Sequence, residues 1–210
     1  MMKGKSCANV YVYRDIVKRI LDIIVSLVLL TILLIPGILI AILIKLTSKG
    51  PIFFKQKRVG WNSQLFNIYK FRSMAVDAPH NMTTAAFTNA NQYITTVGRF
   101  LRKTSVDELP QLLNVLKGDM SIVGPRPLIP AEHAINYQRH ELGIDQLLPG
   151  ITGLAQVNGR DLLNDQDKLA FDKQYYEHVS FLMDTKIIVK TIANVIISKD
   201  IQDGQSKNGR

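Results

Sequence analysis

Two adjacent acids, Asp107 and Glu108, are the residues whose type and surroundings best suit chemistry in this chain. Arg102 and Lys103 precede them closely, and Arg126 follows in the segment Gly-Pro-Arg-Pro. Carboxylate and phosphate repel each other, so acids and arginines in one segment suggest a phosphate held by a divalent cation or by the arginines. We therefore predict a phosphate-handling site around this acidic pair.

A structural explanation of the pair stands beside this one. Ser105 and Glu108 have the spacing of a capping box at the start of a helix. Pro110 argues against the simple form of that box, because a proline at the fifth helical position loses a hydrogen bond and clashes with the preceding turn. We predict instead a helix over residues 109–116 that starts at about Asp107 or later. The acids then lie at a helix N-terminus, which also attracts phosphate.

Lys70, Arg72 and Arg126 are candidate cations for the same site. The strand predicted over residues 65–73 places Lys70 and Arg72 on one face with the apolar side chains of that strand. A solvated basic strand end explains these two residues equally well. The two prolines around Arg126 give it a rigid mount, which suits a bidentate phosphate contact. A structural turn with an exposed arginine is the alternative there.

The elements that must position these residues follow from the periodicity of the apolar side chains. Two runs rich in aromatic and β-branched residues, 52–59 and 65–73, predict a β-hairpin with a turn over 60–63. Further predictions are a helix over 97–102, a rigid turn over 149–153, helices over 165–176 and 183–197, and a surface loop with a short helix over 75–94. The fold class is thus α+β, mostly helical, with a small catalytic domain that contains the β-hairpin.

An uncharged apolar segment of 22 residues, 23–44, precedes this domain. As a straight helix it is about 33 Å long, against a hydrocarbon core of about 30 Å. A buried core helix is the alternative, but a segment that is apolar all round has no solvent face. A signal peptide is disfavoured, because the run is long and no small-residue cleavage site follows it. We therefore predict a membrane segment.

Basic residues flank both ends of this segment, so the positive-inside rule gives no orientation for a spanning helix. Up to Gly60 there are ten lysines and arginines and two acids, a balance of +8 out of a net charge of +9 for the chain. Pro36 and Gly37 lie just past the middle of the segment and favour a bend. We favour a re-entrant hairpin, with both ends among anionic head groups on one face, over a kinked helix that spans.

Composition excludes several classes of protein. Apolar residues make up 47% and charged residues 20%, which is typical of a folded chain and not of a disordered one. Cys7 is the only cysteine, which excludes a disulfide scaffold, and the four histidines form no close metal-type pair. Because the excess charge lies beside the membrane segment and the rest is nearly neutral, we predict no nucleic-acid partner.

Several long motifs resemble the bacterial sugar transferase family, the monotopic phosphoglycosyl transferases. They are Lys18, Arg19 and Asp22 before the apolar segment, then GPIFFKQKRVG, YKFRSM, RKTSVDELPQLLNVLKGDMSIVGPRP and PGITGLAQVNGR. The resemblance runs from about Lys18 to Thr191. One departure is Ile35, where some relatives place a serine before the membrane proline, so that the bend here depends on Pro36 and Gly37.

The resemblance implies a reaction. The family transfers a sugar-1-phosphate from a UDP-sugar to a polyprenol phosphate, usually undecaprenyl phosphate, and releases UMP. Asp107 matches the family's nucleophile, which forms an aspartyl phosphosugar, and Glu108 matches the glutamate that helps bind Mg²⁺. The matches to nucleotide- or phosphate-binding residues are Lys70, Arg72, Arg102, Arg126 and Arg160.

The resemblance also implies a location and an organisation. A re-entrant segment over residues 1–49 enters one leaflet of the bacterial cytoplasmic membrane, and a catalytic domain over 50–202 lies on its cytoplasmic face among membrane lipids. A polar tail follows over 203–210. The product starts the assembly of a polysaccharide or a glycoprotein glycan. A non-catalytic, membrane-anchored binding module of such a pathway is the alternative, but it leaves Asp107, Glu108 and the Gly-Pro-Arg-Pro segment without a role.

Overall fold

The computed structural model describes residues 12–78, 90–159 and 162–197. The π-helical turn Tyr13–Val17 leads into the first helix. The helices and strands are α1 (Lys18–Ile32), α2 (Leu34–Thr47), β1 (Phe53–Val59), β2 (Leu65–Phe71), α3 (Ala90–Tyr93), α4 (Thr96–Lys103), α5 (Gln111–Lys117), β3 (Ser121–Val123), α6 (His133–Glu141), β4 (Gly150–Thr152), α7 (Leu154–Val157), α8 (Asp165–Glu177) and α9 (Phe181–Ile197). The predicted class, mostly helical α+β, is confirmed.

The β-hairpin of β1 and β2 is confirmed, with an antiparallel register that runs from Phe53 opposite Phe71 to Val59 opposite Leu65. The turn between the strands is a 3-10 turn, Trp61–Ser63. The second strand ends at Phe71, two residues before the predicted end at residue 73. Arg72 still continues the antiparallel register, since its N–H donates to the carbonyl of Ile52 at 2.9 Å.

A second, parallel pair was not predicted. In it β3 and β4 pair with Ser121 opposite Gly150 and Val123 opposite Thr152. The sequence predicts only a rigid turn over 149–153, because three-residue strands leave too short a pattern to recognise. Helix α6 was not predicted either. The predicted helices near 97–102, 109–116, 165–176 and 183–197 are present as α4, α5, α8 and α9.

The apolar core of the body consists of three clusters of buried side chains. One joins β3 to α8 and α9 through Val123, Tyr175 and Ile187. Another joins α2, β2 and α4 and contains Ile44, Phe71 and Leu101. The third packs Ile68, Val115 and Met120 between the hairpin and α5. The core therefore packs the hairpin against α5 and β3. The acidic turn lies just before α5, and Arg126 lies just after β3.

Helices α1 and α2 form a bent pair. The helix axis bends by 62° between Tyr13–Ile32 and Leu34–Thr47. None of the single helices in the described ranges has both the length and the apolar character of a membrane span, but this bent pair has both when taken together. The break lies at Leu33, where ψ is 3°, and not at Pro36 and Gly37 as predicted. Proline cannot donate to the carbonyl of Ile32 four residues earlier, and its ring crowds that carbonyl. The helix therefore breaks one turn before the proline.

The bent pair has the form of a re-entrant element, as predicted for this segment, or of a broken span. A bend of 62° leaves the two helices in an open V and does not fold α2 back along α1. The lost hydrogen bond of one proline bends a helix without reversing it. The direction of α2 is then set by its far end, where Ile44 packs against the body.

Exposure along these two helices is the inverse of that in a soluble protein. The buried residues of α1 are polar, namely Lys18, Asp22 and Ser26, spaced four residues apart on the face toward the body. Large apolar side chains are exposed instead, up to 70% at Ile35 and 78% at Leu46. A buried core helix, the alternative weighed from the sequence, is thus not what these helices form.

Polar contacts attach α1 to the body. Lys18 Nζ lies 2.7 Å from Asp184 Oδ2 on α9. The carboxylate of Asp22 accepts hydrogen bonds from the hydroxyl of Ser121, at 2.7 Å, and from the backbone N–H of Ile122, at 3.2 Å. A buried ion pair and charge-assisted hydrogen bonds fix geometry better than apolar contacts do. They hold α1 against β3, the strand that leads to Arg126.

Candidate active site

Asp107 and Glu108 lie in a tight turn between α4 and α5. This 3-10 turn, Val106–Glu108, follows Ser105, whose φ of 55° is in the left-handed region. The side chain of Ser105 makes no capping hydrogen bond, so the capping box is wrong as an explanation of the pair. Pro110 takes the position before α5 with φ −62°, and α5 begins at Gln111, after Asp107 as predicted. The proline fits there because its fixed φ suits a helix start.

The turn separates the environments of the two acids. Asp107 is buried, with 9% of its surface exposed. Glu108 reaches the hairpin, where Lys70 Nζ lies 2.7 Å from Glu108 Oε1. Both side chains of this ion pair are mostly buried. The contact joins the acidic turn to β2 and fixes the glutamate side chain.

Glu108 and Lys70 line a cleft that is open to solvent. Its other charged lining residues are Arg58 from β1 and Arg126 from the Gly-Pro-Arg-Pro segment, and two amides, Gln111 and Gln156, also line it. Three cations and one carboxylate leave the cleft with an excess of positive charge. Such a cleft attracts anions and suits phosphate groups in particular.

Close backbone contacts with β4 position the segment that carries Arg126. The N–H of Gly124 donates to Thr152 and the N–H of Gly150 donates to Pro125, each at 2.9 Å. A Cβ atom on Gly124 would lie 2.4 Å from the carbonyl oxygen of Leu148, so only glycine permits this approach. The Gly-Pro-Arg-Pro segment is thus held in place by hydrogen bonds to β4 as well as by its prolines.

Arg139 on α6 supports the same segment from behind. Its Nη1 donates to the backbone carbonyl of Arg126 at 2.8 Å, and its Nη2 pairs with Asp172 on α8. Asp172 is 1% exposed, and burial raises the pKa of its carboxyl although Arg139 opposes that rise. This buried ion pair was not predicted from the sequence, because its partners lie 33 residues apart on different helices.

Sequence reasoning also missed Arg58. Its Cα partner across the hairpin is Phe66, which places Arg58 on the same face as Ile68 and Lys70. The register of the predicted hairpin was the signal that could have found it. Burial in the cleft wall, with Arg126 nearby, lowers the pKa of Arg58 to about 10. It therefore stays charged at neutral pH.

The remaining predicted residues lie elsewhere. Arg72 is 5% exposed, and its Nη2 donates to the carbonyl and hydroxyl oxygens of Ser48 at 2.8 and 2.6 Å, just after α2. Arg102 is in the last turn of α4 and, like Arg72 and Asp107, is not among the residues that line the cleft. Arg160 lies outside the described residues. The structure thus brings Lys70, Glu108 and Arg126 together, and places Arg72 against the apolar helix pair.

A metal ion at this site would need ligands from the substrate. Among residues 12–78, 90–159 and 162–197, no three His, Cys, Asp or Glu side chains are grouped as a metal site. Mg²⁺ commonly takes one or two carboxylates, water and substrate phosphates. Glu108 in a cleft of phosphate-binding character fits that pattern, and a protein-only metal cage does not.

Comparison with known proteins identifies the class of the chain. The family model described as bacterial sugar transferase matches residues 13–198, and the chain belongs to this family. It is 39% identical, over 193 residues, to the undecaprenyl-phosphate glucose phosphotransferase of Komagataeibacter xylinus. It is 41% identical, over 198 residues, to the UDP-glucose:undecaprenyl-phosphate glucose-1-phosphate transferase of Escherichia coli.

The lengths of the relatives differ. The matches cover 87% and 88% of this chain but only 36% and 41% of the Komagataeibacter and Escherichia coli proteins. The uncharacterized sugar transferase EpsL of Bacillus subtilis is 38% identical over 189 residues, with 89% of this chain and 91% of that protein covered. The described body and the acidic turn fall within the matched region.

Proposed function

We propose that the protein is a phosphoglycosyl transferase that moves a sugar-1-phosphate from a UDP-sugar to undecaprenyl phosphate and releases UMP. The names of the relatives support the reaction class. The observation that carries the proposal is the cleft in which Lys70 holds Glu108 and Arg126 faces the same space. Both substrates carry phosphate, and the cleft has the charge to bind it.

In the first step, Asp107 is the nucleophile. One carboxylate oxygen attacks the β-phosphorus of the UDP-sugar, and the bond from that phosphorus to the bridging oxygen breaks. UMP leaves with the electron pair, and the sugar phosphate remains bound to Asp107 as an acyl phosphate. Carboxylates act as phosphoryl acceptors in this way when nearby cations stabilise the charge of the leaving group. Lys70 and Arg126 supply that charge in the cleft.

In the second step, a phosphate oxygen of undecaprenyl phosphate attacks the same phosphorus. The bond to the Asp107 oxygen breaks, the carboxylate is restored, and the product is a polyprenyl diphosphate sugar. Two steps suit two phosphate substrates of different character, one soluble and one in the lipid. The product starts the assembly of a surface polysaccharide or a glycoprotein glycan.

Mg²⁺ is the proposed cofactor, with Glu108 as its protein ligand. Bound there with phosphate oxygens, it would neutralise charge on the transferred and leaving groups. The protein's own residues orient that arrangement. Lys70 fixes the carboxylate of Glu108, and Arg139 fixes the backbone of Arg126.

The bent helix pair is proposed to enter the bacterial cytoplasmic membrane from its cytoplasmic face and to return to that face. Helix α2 has 14 residues and is therefore about 21 Å long, shorter than a hydrocarbon core of about 30 Å. The exposed side chains around the bend are apolar, as Ile32 and Ile35 illustrate. Lys45 and Lys49 at the far end suit anionic head groups.

Helix α9 is proposed to lie on the same membrane surface. One face of it packs on the body through Asp184 and Ile187. The other face exposes the large apolar side chains of Phe181, Leu182, Val189, Ile192 and Ile196. Helix α9 meets the start of α1 through Lys18 and Asp184, so both elements reach the lipid from one side of the body.

The test is release of UMP by detergent-purified protein with undecaprenyl phosphate, Mg²⁺ and a panel of UDP-sugars. The variant is Asp107→Asn, and Asp167→Asn, an exposed acid on α8, is the matched control. We expect release with at least one UDP-sugar, at least about a 10³-fold loss in Asp107→Asn, and no loss in the control.

Two results would contradict the proposal. Wild-type turnover in Asp107→Asn would remove the nucleophile assignment. No release with any UDP-sugar would favour the alternative, a non-catalytic binding module anchored to the membrane.

A further inference from the structure

Arg58 is the cleft cation that none of the candidate roles above explains. Its guanidinium is fixed from two sides, since Nη1 donates to the carbonyl of Pro127 at 3.0 Å and Nη2 donates to Gln56 Oε1 at 2.6 Å. The third donor, Nε–H, is buried and has no hydrogen-bond partner among the described residues. A buried donor that lacks a partner is unfavourable, so the contacts of this guanidinium are incomplete among the described residues.

The charges around Arg58 point to an anion. Lys70 and Glu108 neutralise each other as an ion pair. Arg58 and Arg126 then remain as two positive groups that repel each other, and this repulsion outweighs the attraction of Arg58 to Glu132 or to Glu108. Two guanidiniums that line one cleft are held together most readily by a phosphate between them, which accepts hydrogen bonds from both.

The position of Arg58 couples it to the segment that carries Arg126. The backbone N–H of Val59 donates to the carbonyl of Leu128 at 2.9 Å, next to the contact of Arg58 with Pro127. The end of β1 therefore runs beside the Gly-Pro-Arg-Pro segment. The two arginines come from separate parts of the chain. The hydrogen bond between Val59 and Leu128 joins the two backbone segments that bring them to the cleft.

We propose that Arg58 is a substrate-binding residue, whose guanidinium acts with Arg126 to bind the diphosphate of a nucleoside diphosphate sugar. This rests on the proposed function for the identity of the donor substrate. The contacts of Nη1 and Nη2 with Pro127 and Gln56 set the orientation of the guanidinium before the substrate binds. Arg58 is then pre-organised and loses little side-chain entropy on binding.

The experiment measures equilibrium binding of UDP and of uridine to the full chain in detergent with Mg²⁺. The variants are Arg58→Gln, which removes the charge, and Arg58→Lys, which keeps the charge but lacks the guanidinium. The matched control is Lys57→Gln, because Lys57 is the neighbouring cation and is exposed on the other face of the hairpin. Isothermal titration calorimetry gives the Kd of UDP, and competition against UDP gives that of uridine.

We expect the Kd of UDP to rise at least about tenfold in Arg58→Gln, because the charge-assisted hydrogen bond to the diphosphate is lost. We expect a smaller rise in Arg58→Lys, no change in Lys57→Gln, and no change in the Kd of uridine. If Arg58→Gln does not fold, the comparison of UDP with uridine in Arg58→Lys decides the question.

Three results would overturn the inference. The first is a Kd of UDP that stays at the wild-type value in both variants. The second is an equal loss for UDP and uridine, which would assign Arg58 to holding the segment 124–127. The third is a wild type that binds UDP no more tightly than uridine.

None of these binding measurements involves turnover. A selective loss of UDP binding in the Arg58 variants, in a protein that transfers no sugar phosphate, would therefore leave the inference standing and remove the proposed function.

Discussion

Lys70 Nζ lies 2.7 Å from Glu108 Oε1, and this ion pair joins the second strand of the hairpin to the turn that carries both acids. The two side chains are 18% and 12% exposed, so the pair is largely shielded from solvent. Removal of either partner leaves the other charge in the cleft wall without its counter-charge. The pair is therefore a sensitive point of the proposed mechanism.

Replacement of Lys70 should impair the chemical step. In Lys70→Met we expect kcat for UMP release to fall by about 10²–10³, since Lys70 both orients Glu108 and stabilises charge in the cleft. Lys55→Met is the matched control, because the Lys55 amine lies 5.5 Å from the centre of the Tyr69 ring, on the other face of the hairpin. A kcat near the wild-type value in Lys70→Met would show that the ion pair has no role in the reaction.

Replacement of Arg72 should act on stability rather than on substrate binding. Family resemblance implies a substrate-binding role, whereas in the structure Arg72 is buried against Ser48 after α2. In Arg72→Gln we expect the free energy of unfolding to fall by about 1–3 kcal/mol, while the KM for the UDP-sugar changes little. Ser48→Ala, which removes one acceptor, should have a smaller effect of the same kind. A raised KM with unchanged thermal stability would restore the substrate-binding role.

The placement of both ends of the helix pair on one side of the membrane can be tested with cysteine labelling. Cys7 is the only cysteine of the chain and precedes the pair, and Lys49→Cys adds a second site at an exposed position after it. In spheroplasts we expect a membrane-impermeant maleimide to label neither site, and to label both after permeabilisation. Labelling of one of the two sites in intact spheroplasts would show that the pair spans the membrane.

His140 should make stability depend on pH. Its Nδ1 lies 2.8 Å from Asp145 Oδ2, a carboxylate that Ser63 of the hairpin turn also contacts, and this hydrogen bond raises the pKa of His140 above 6.5. A raised pKa in the folded state means that the contact stabilises fully below pH 6.5 and that this stabilisation is lost as pH rises through the folded pKa.

The measurement for His140 is thermal unfolding between pH 5.5 and 8.5. We expect the wild type to exceed His140→Gln in Tm at the acidic end and the difference to disappear at the alkaline end. His178→Gln is the control, because His178 Nδ1 contacts the backbone carbonyl of Gln174 and not a carboxylate. A difference that grows with pH would contradict the assignment.

Local patterns predicted most of the elements because those elements are set by local physics. The hairpin and the helices α4, α5, α8 and α9 follow from side-chain periodicity and from the residues that end them, such as Gly118 with φ 94° after α5. The turn that carries Asp107 and Glu108 was recognised because Pro110 restricts where a helix can start. Its position relative to the hairpin was not predictable, since that depends on long-range packing.

The errors have physical causes as well. The bend was assigned to Pro36 and Gly37, but a proline disturbs the carbonyl four residues before it, and the break accordingly falls at Leu33. Arg72 was grouped with Lys70 by strand alternation, but the residue after α2, Ser48, lies against that end of the strand and binds the Arg72 guanidinium. The register of the hairpin places Arg58 on the face of Lys70, but its position in the cleft also depends on the contact of β1 with the segment 124–128, which no local pattern encodes.

The central claim, a covalent sugar phosphate on Asp107, is tested most directly by peptide mass spectrometry after a single turnover. The wild-type protein is mixed with a UDP-sugar that supports UMP release, with Mg²⁺ and without undecaprenyl phosphate, and is quenched in acid. The account predicts up to one UMP per protein and a peptide containing Asp107 that is heavier by one sugar phosphate, with neither signal in Asp107→Asn. UMP release that requires undecaprenyl phosphate and leaves that peptide unmodified would contradict it.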